Sequence, residues 1–202
     1  MLCLRAATDE AWAREAVKDL DAVLVDHAHC EMKAATNALS LVVRHPADLE
    51  LVRSLTAIAQ EELEHFDRVV AFLGERGLAL GIPPVDDYAA QLRRAMNALP
   101  VSDLPLVTNR LLVGALIEAR SCERFKLLLA ALPESTPDEL RVFYQELFEC
   151  EARHYRDYID LAKRAAGPLA HLVDARLELL AEAEARIVRA LPSNDVRGSV
   201  HG

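Results

Sequence analysis

No stretch of this 202-residue chain stays apolar over the ~18 residues needed to cross a bilayer. Charged side chains, Arg14, Glu15 and Lys18 among them, interrupt the N-terminal region and exclude the apolar core of a secretion signal there. Glycine is scarce, at 7 residues, while 52% of the chain is hydrophobic and Ala, Leu, Glu and Arg dominate. That mix argues for helices and against a sheet. Excess positive charge is also missing: a formal net charge of -9 excludes bulk electrostatic attraction to nucleic acid, though not a local basic patch. Cys3, Cys30, Cys122 and Cys150 form no Cys-x-x-Cys pair, which weakens any zinc-ribbon or dithiol reading. Three of them fall on helical stretches, where a reduced cysteine behaves as a small buried hydrophobe. The expectation is a soluble, cytoplasmic protein kept in a reducing compartment. One helical domain is expected over residues 1–190, followed by a disordered tail, 191–202.

Apolar periodicity divides the chain into long helices. The first is expected from about Asp9 to Arg44, with Leu20, Leu24, His27, Glu31, Ala35, Ala38 and Val42 on one stripe. Pro46 is expected to start the second, whose stripe is Leu55, Ile58, Glu62, His65, Phe66, Val69 and Leu73, ending at Gly74 and Gly77. Residues from about Gly77 to Ser102 form a long connection with one short helix, about Asp86–Met96. Ser102 or Asp103 then caps a third helix, with Pro105 in its first turn and Leu111, Ala115, Glu118, Cys122, Phe125 and Leu129 on its stripe. Thr136, Pro137 and Glu139 read as a capping box for a fourth, striped by Val142, Leu147, Glu151, His154, Tyr158 and Leu161 and ended by Gly167-Pro168. A fifth helix follows, about Leu169–Ala190.

Within those stripes one short pattern occurs twice, Glu62-x-x-His65 and Glu151-x-x-His154. Residues three apart on a helix share a face, so each pair aims a carboxylate and an imidazole at one spot. Each pair is preceded on the upstream helix by a striped glutamate, Glu31 or Glu118, at nearly the same spacing of 31 and 33 positions. A single Glu-x-x-His is cheap in a chain this rich in glutamate, and alone it reads as a surface ion pair. Two copies inside apolar stripes, each with a matching upstream glutamate, do not. Buried carboxylates cost several kcal/mol each unless neutralised, and a multivalent cation is the simplest counter-charge. Two hairpins, each giving Glu from one arm and Glu-x-x-His from the other, joined by a long crossover, describe an all-α, ferritin-like four-helix bundle with an additional C-terminal helix. Its six metal ligands would be Glu31, Glu62, His65, Glu118, Glu151 and His154.

Helical phase separates these from their competitors. Glu123 lies about 140° off the Glu118 stripe. Glu61, Glu64 and Glu149 also fall off their stripes and read as solvated charges. His27, one turn before Glu31 on its face, reads as a supporting or packing residue rather than a ligand. His29, His45, His171 and His201 read as surface residues. Carboxylate-rich sites with one imidazole per ion suit two iron ions, with manganese as the alternative, better than zinc, magnesium or calcium. By the usual arrangement of such di-metal sites, Glu62 and Glu151 would bridge the ions, and dioxygen would take the open positions. No catalytic side chain is expected beyond the ligands.

The constellation resembles the ferritin-like di-iron superfamily over about residues 9–165. Three segments resemble one family within it, the MiaE tRNA hydroxylases: Asp26-His27-Ala28-His29-Cys30-Glu31, Glu61-Glu62-Leu63-Glu64-His65-Phe66 and Leu116-Ile117-Glu118-Ala119-Arg120-Ser121-Cys122-Glu123. That resemblance implies oxygen-dependent hydroxylation of the isopentenyl group of 2-methylthio-N6-isopentenyladenosine in the tRNA anticodon loop. Its partners would be tRNA and an external electron donor, a reductase or ferredoxin, with no membrane. A tRNA substrate calls for cations near the pocket. Arg93, Arg94, Arg120 and Arg124 are the candidates for phosphate contact, and Tyr88 for stacking on a base. Two other readings compete. One is an iron-oxidising or peroxide-scavenging protein of rubrerythrin or ferritin type. The other is a purely structural helical protein whose glutamates pair with arginines such as Arg120 and Arg153.

Overall fold

The computed structural model describes residues 2–83 and 87–190, and no strand occurs among them. The expected disordered tail and His201 lie outside the described residues. The helices are α1 (Glu10–Ala16), α2 (Leu20–Arg44), α3 (Leu49–Glu75), α4 (Asp87–Ala98), α5 (Leu106–Ala131), α6 (Asp138–Ala166) and α7 (Val173–Ala190), with a 3-10 turn, Gly167–Leu172, before the last. They form two compact units. One is built on α2 and α3; the other contains α4 to α7 and the N-terminal segment up to Arg14.

In the first unit α2 and α3 form a hairpin. The expected single helix from Asp9 is broken after Ala16, because Asp19 turns its carboxylate back to accept from the Ala22 amide at 3.0 Å and starts α2 afresh. Pro46 does not begin α3. Asp48 does, accepting from the Leu51 amide at 3.1 Å, and Pro46 sits in the turn before it. At the far end Gly77 takes a φ of +66°, and the Leu78 amide reaches back to the Leu73 carbonyl at 2.9 Å. Val23, Leu24, Ala28, Ala35, Ala38 and Leu41 of α2 are buried, as are Leu51, Leu55, Ile58, Ala59, Val69 and Leu73 of α3. Each buried leucine or isoleucine contributes about 1.5–3 kcal/mol.

The second unit is organised around α5, which is buried almost all round between Thr108 and Leu128. It pairs most extensively with α6. The buried Tyr158 ring lies directly against α5 at Gly114, where an added Cβ would be 2.9 Å from it. Neither expected cap forms here. Ser102 accepts from Leu104 rather than from the start of α5, and the Thr136 hydroxyl makes no hydrogen bond at the start of α6. Pro105 and Pro137 occupy the two capping positions. Val142 is 55% exposed, because the α6 stripe steps through Phe143 to Leu147 instead.

A buried guanidinium ties this unit together. Arg120 is fully buried and donates to Glu184 of α7 through Nε at 2.9 Å and Nη2 at 2.6 Å. Its Nη1 donates to Glu123 and to the Thr8 hydroxyl, and Nη2 also reaches the Ala6 carbonyl. Tyr88 of α4 donates to the same Glu184 oxygen at 2.9 Å. One cation therefore joins α4, α5, α7 and the N-terminal segment. Replacing it with methionine, R120M, strands two buried carboxylates and is expected to cost about 3–5 kcal/mol of unfolding free energy in urea titrations. R120M/E184L should recover part of that loss.

Candidate metal centre

In the first unit α2 and α3 bring Glu31, Glu62 and His65 together. Both carboxylates are fully buried and the His65 side chain is 12% exposed. His65 Nδ1 lies 3.3 Å from Glu62 Oε2 and 3.5 Å from Glu31 Oε2. On the other side of Glu31, His27 Nε2 lies 2.6 Å from Oε1. His27 thus lies beside Glu31 on the shared face of α2. Helix periodicity accounts for all four positions. Glu62 and His65 are three apart on α3, His27 and Glu31 four apart on α2, and each couple shares a face.

In the second unit α5 and α6 bring Glu118, Glu151 and His154 together, each offering one ligand atom within 4.8 Å of the others. Glu118 is 3% exposed, Glu151 0% and His154 1%. Cys150, one turn before His154, has its Sγ 3.5 Å from His154 Nε2 and receives a hydrogen bond from Arg153 at 3.1 Å.

The donor set fits a hard cation with imidazole support. Glu31 and Glu62 also lie within 4.8 Å, atom to atom. Two ionised carboxylates at that distance repel by about 3 kcal/mol even at an effective dielectric of ~20. The Oε2 atom of Glu118 is buried with no hydrogen-bond partner among the described residues. An unsatisfied buried carboxylate oxygen of that kind suits a bound cation. Arg120, two positions further along α5, is committed to Glu184 and Glu123. Thiolate ligation is not needed: burial pushes the Cys122 thiol up to about 11, and its Sγ–H donates to the Phe148 carbonyl.

Other sequence-predicted residues fall elsewhere. Tyr88 is buried, with its hydroxyl on Glu184 and held well above its ordinary range chiefly by burial, so it presents no ring to a base. Arg120 is inside the protein. Arg124 is 5% exposed and stacks over Trp12 at 5.2 Å. These three leave the set of surface contacts, whereas Arg93 and Arg94 are both exposed on α4. His29 is not a surface residue: it is fully buried, with Nε2 2.9 Å from the Leu80 carbonyl. Glu61 is half-buried rather than solvated, while Glu64 and Glu149 are exposed as expected. Four cysteines are free, and Cys30, Cys122 and Cys150 are buried.

Known proteins resemble this chain along its length. The family model described as tRNA-(MS[2]IO[6]A)-hydroxylase (MiaE) matches residues 1–199. The tRNA 2-(methylsulfanyl)-N(6)-isopentenyladenosine(37) hydroxylase of Pseudomonas putida is 38% identical over 195 residues, which span 96% of this chain and 90% of that protein. The protein of the same name from Salmonella typhimurium is 29% identical over 235 residues, 92% of this chain and 83% of that one. A solved structure, "Protein 43 with aldehyde deformylating oxygenase activity from Synechococcus", has a TM-score of 0.85 and 34% identity, covering 100% of this chain and 96% of its own. That structure is ferritin-like, so the expected all-α, ferritin-like class stands.

Glu118 offers a direct test of the cation requirement. In metal-free protein E118Q removes a desolvated charge and should unfold at a higher temperature than wild type, while taking up less iron per chain by elemental analysis. A lower melting temperature for metal-free E118Q would mean that the carboxylate already has a partner.

Proposed function

Because the chain belongs to the MiaE family of tRNA hydroxylases, we propose that Glu31, Glu62, His65, Glu118, Glu151 and His154 would together hold two iron ions. The enzyme is a hydroxylase that acts on a modified adenosine of tRNA. The proposed reaction converts a terminal allylic C–H of the isopentenyl group of 2-methylthio-N6-isopentenyladenosine to C–OH with one oxygen atom of dioxygen, while the other leaves as water with two protons and two electrons from the external reductant. The observation that carries the reading is the duplication: one triplet of Glu, Glu and His is buried in each unit, on corresponding arms of two helical pairs.

Bound iron supplies the oxygen chemistry that no protein side chain can. The chain's own residues supply the rest. Four carboxylates balance the charge of two divalent ions, and two imidazoles complete the donor set without adding charge. Burial of Glu31, Glu62, Glu118 and Glu151 keeps water from competing for them and strengthens their field. The two electrons are assigned to an external reductant, a reductase or ferredoxin. No described helix is long and apolar enough to cross a membrane. Arg93 and Arg94 are assigned to the tRNA backbone. The relatives are named hydroxylases, and no observation favours the iron-storage reading.

Two experiments test this. Iron-loaded enzyme, dioxygen and a reductant should convert tRNA carrying the unhydroxylated base, read by mass analysis of its nucleosides as a gain of one oxygen. No product at stoichiometric iron would remove the assignment. Separately, R93A/R94A should weaken tRNA binding, by up to about tenfold at moderate salt, and flatten its salt dependence, with iron content unchanged.

A further inference from the structure

The two halves carry the same ligands but differ one turn upstream of the first glutamate. Four residues before Glu31 stands His27; four residues before Glu118 stands Gly114. Positions four apart on a helix are neighbours on one face, so this is where a side chain can reach the ligand carboxylate. In the first half it does. His27 and Glu31 are both fully buried, and His27 Nε2 lies 2.6 Å from Glu31 Oε1. In the second half there is no side chain to reach with, and the space a Cβ would need is filled by the Tyr158 ring. The Oε2 atom of Glu118 is left without a hydrogen bond.

Resting on the two-ion reading above, we infer that His27 is a positioning residue that makes Glu31 a one-oxygen ligand, so that the two ions are held unequally. The two oxygens of Glu31 have different occupations. Oε1 faces His27, and Oε2 faces His65 Nδ1 at 3.5 Å. A carboxylate that ligates a cation is ionised and can only accept hydrogen bonds, so His27 must carry its proton on Nε2 and donate it. Such a charge-assisted bond is short and strong, and both groups are shielded from water here. Swinging Glu31 to bind through both oxygens would break it. Glu118 has no such restraint and remains able to turn. The half with the tethered glutamate is therefore the better ordered one and binds its ion more tightly; the half with the untethered glutamate binds the weaker ion and can change its ligation. A supporting hydrogen bond of this kind changes metal affinity about 10–100-fold when it is removed.

The test is titration of metal-free protein with cobalt(II), followed by its visible absorption and by equilibrium dialysis. Wild type should take up two ions with separable affinities. H27L should weaken the tighter ion by at least about tenfold and shift its absorption bands, leaving the other in place. H27Q keeps an N–H donor at similar reach and should restore the tighter ion to near wild-type affinity. Two results would overturn the inference: H27L binding both ions like wild type, or H27Q failing as badly as H27L, which would make the imidazole itself a ligand or a packing element. Should H27L not fold, H27N carries the same expectation, since its shorter amide falls short of Oε1. Wild type that binds fewer than two ions would instead sink the metal reading beneath this one.

Discussion

A carboxylate buried in protein must be given a positive partner, and this chain buries several. It answers that constraint in two ways. Glu123 and Glu184 share the Arg120 guanidinium, which Tyr88 and the N-terminal segment help to enclose. Glu118, only two positions before Arg120 on the same helix, turns to the other side and receives no cation from the protein. Two residues advance a helix by about 200°, so α5 separates a structural ion cluster from a ligand face by geometry alone. Arginine suits the first role because it stays charged and its planar fork can serve two carboxylates and a carbonyl at once. On the proposed reading a metal ion would suit the second, because it could accept electron pairs from four carboxylates and two imidazoles, which no side chain could do. Metal binding and folding would then be coupled, since the ion would relieve the repulsion among these carboxylates.

The inward-facing carboxylates and imidazoles were legible in the sequence because they obey local rules. Spacings of three and four residues within apolar stripes place Glu31, Glu62, His65, Glu118, Glu151 and His154 on inward faces, and the buried positions agree. Helix starts were less legible. Asp19 and Asp48 cap their helices with side-chain bonds, whereas Ser102 and Thr136, equally good candidates, do not. The choice is made by competition. A proline one to three positions on already fixes the turn without a side-chain acceptor, as Pro105 and Pro137 do. Val142 was misplaced by a broken period, since Phe143 rather than Val142 stands four before Leu147.

What could not be read locally were polar residues whose partners lie far along the chain. Arg120 and Glu184 are 64 positions apart, and Tyr88 and Glu184 are 96 apart. No periodicity reports such a pairing. A buried arginine and an exposed one look identical in sequence, which is why Arg120 and Arg124 stood beside Arg93 and Arg94 as surface cations. His29 is the same case in miniature: its ring is satisfied by the carbonyl of Leu80, 51 positions away. Removing these groups from the surface set sharpens the charge problem for a chain of net charge -9. Fewer cations are left to meet RNA, so those that remain must act locally, over a distance of about one Debye length.

Repetition fixes which atoms meet a metal, but it does not fix how firmly each is held. The two hairpins share a ligand pattern, and everything around that pattern is free to differ. His27 and Gly114 occupy equivalent places, as do Val69 and Tyr158, each four residues beyond its half's histidine ligand. In one half a donor stands upstream and an aliphatic residue downstream. In the other the upstream position is bare, and a tyrosine ring covers it. Bulk moves from the upstream position to the downstream one, and with it goes the donor beside the glutamate. An enzyme that must hold two ions and also open a coordination position gains from that inequality. A fully tethered pair of glutamates would favour tight binding and leave no ligand free to move; a fully untethered pair would bind loosely on both sides. One restrained carboxylate and one mobile one reconcile retention with reactivity, and the difference between them is a single side chain one helical turn away.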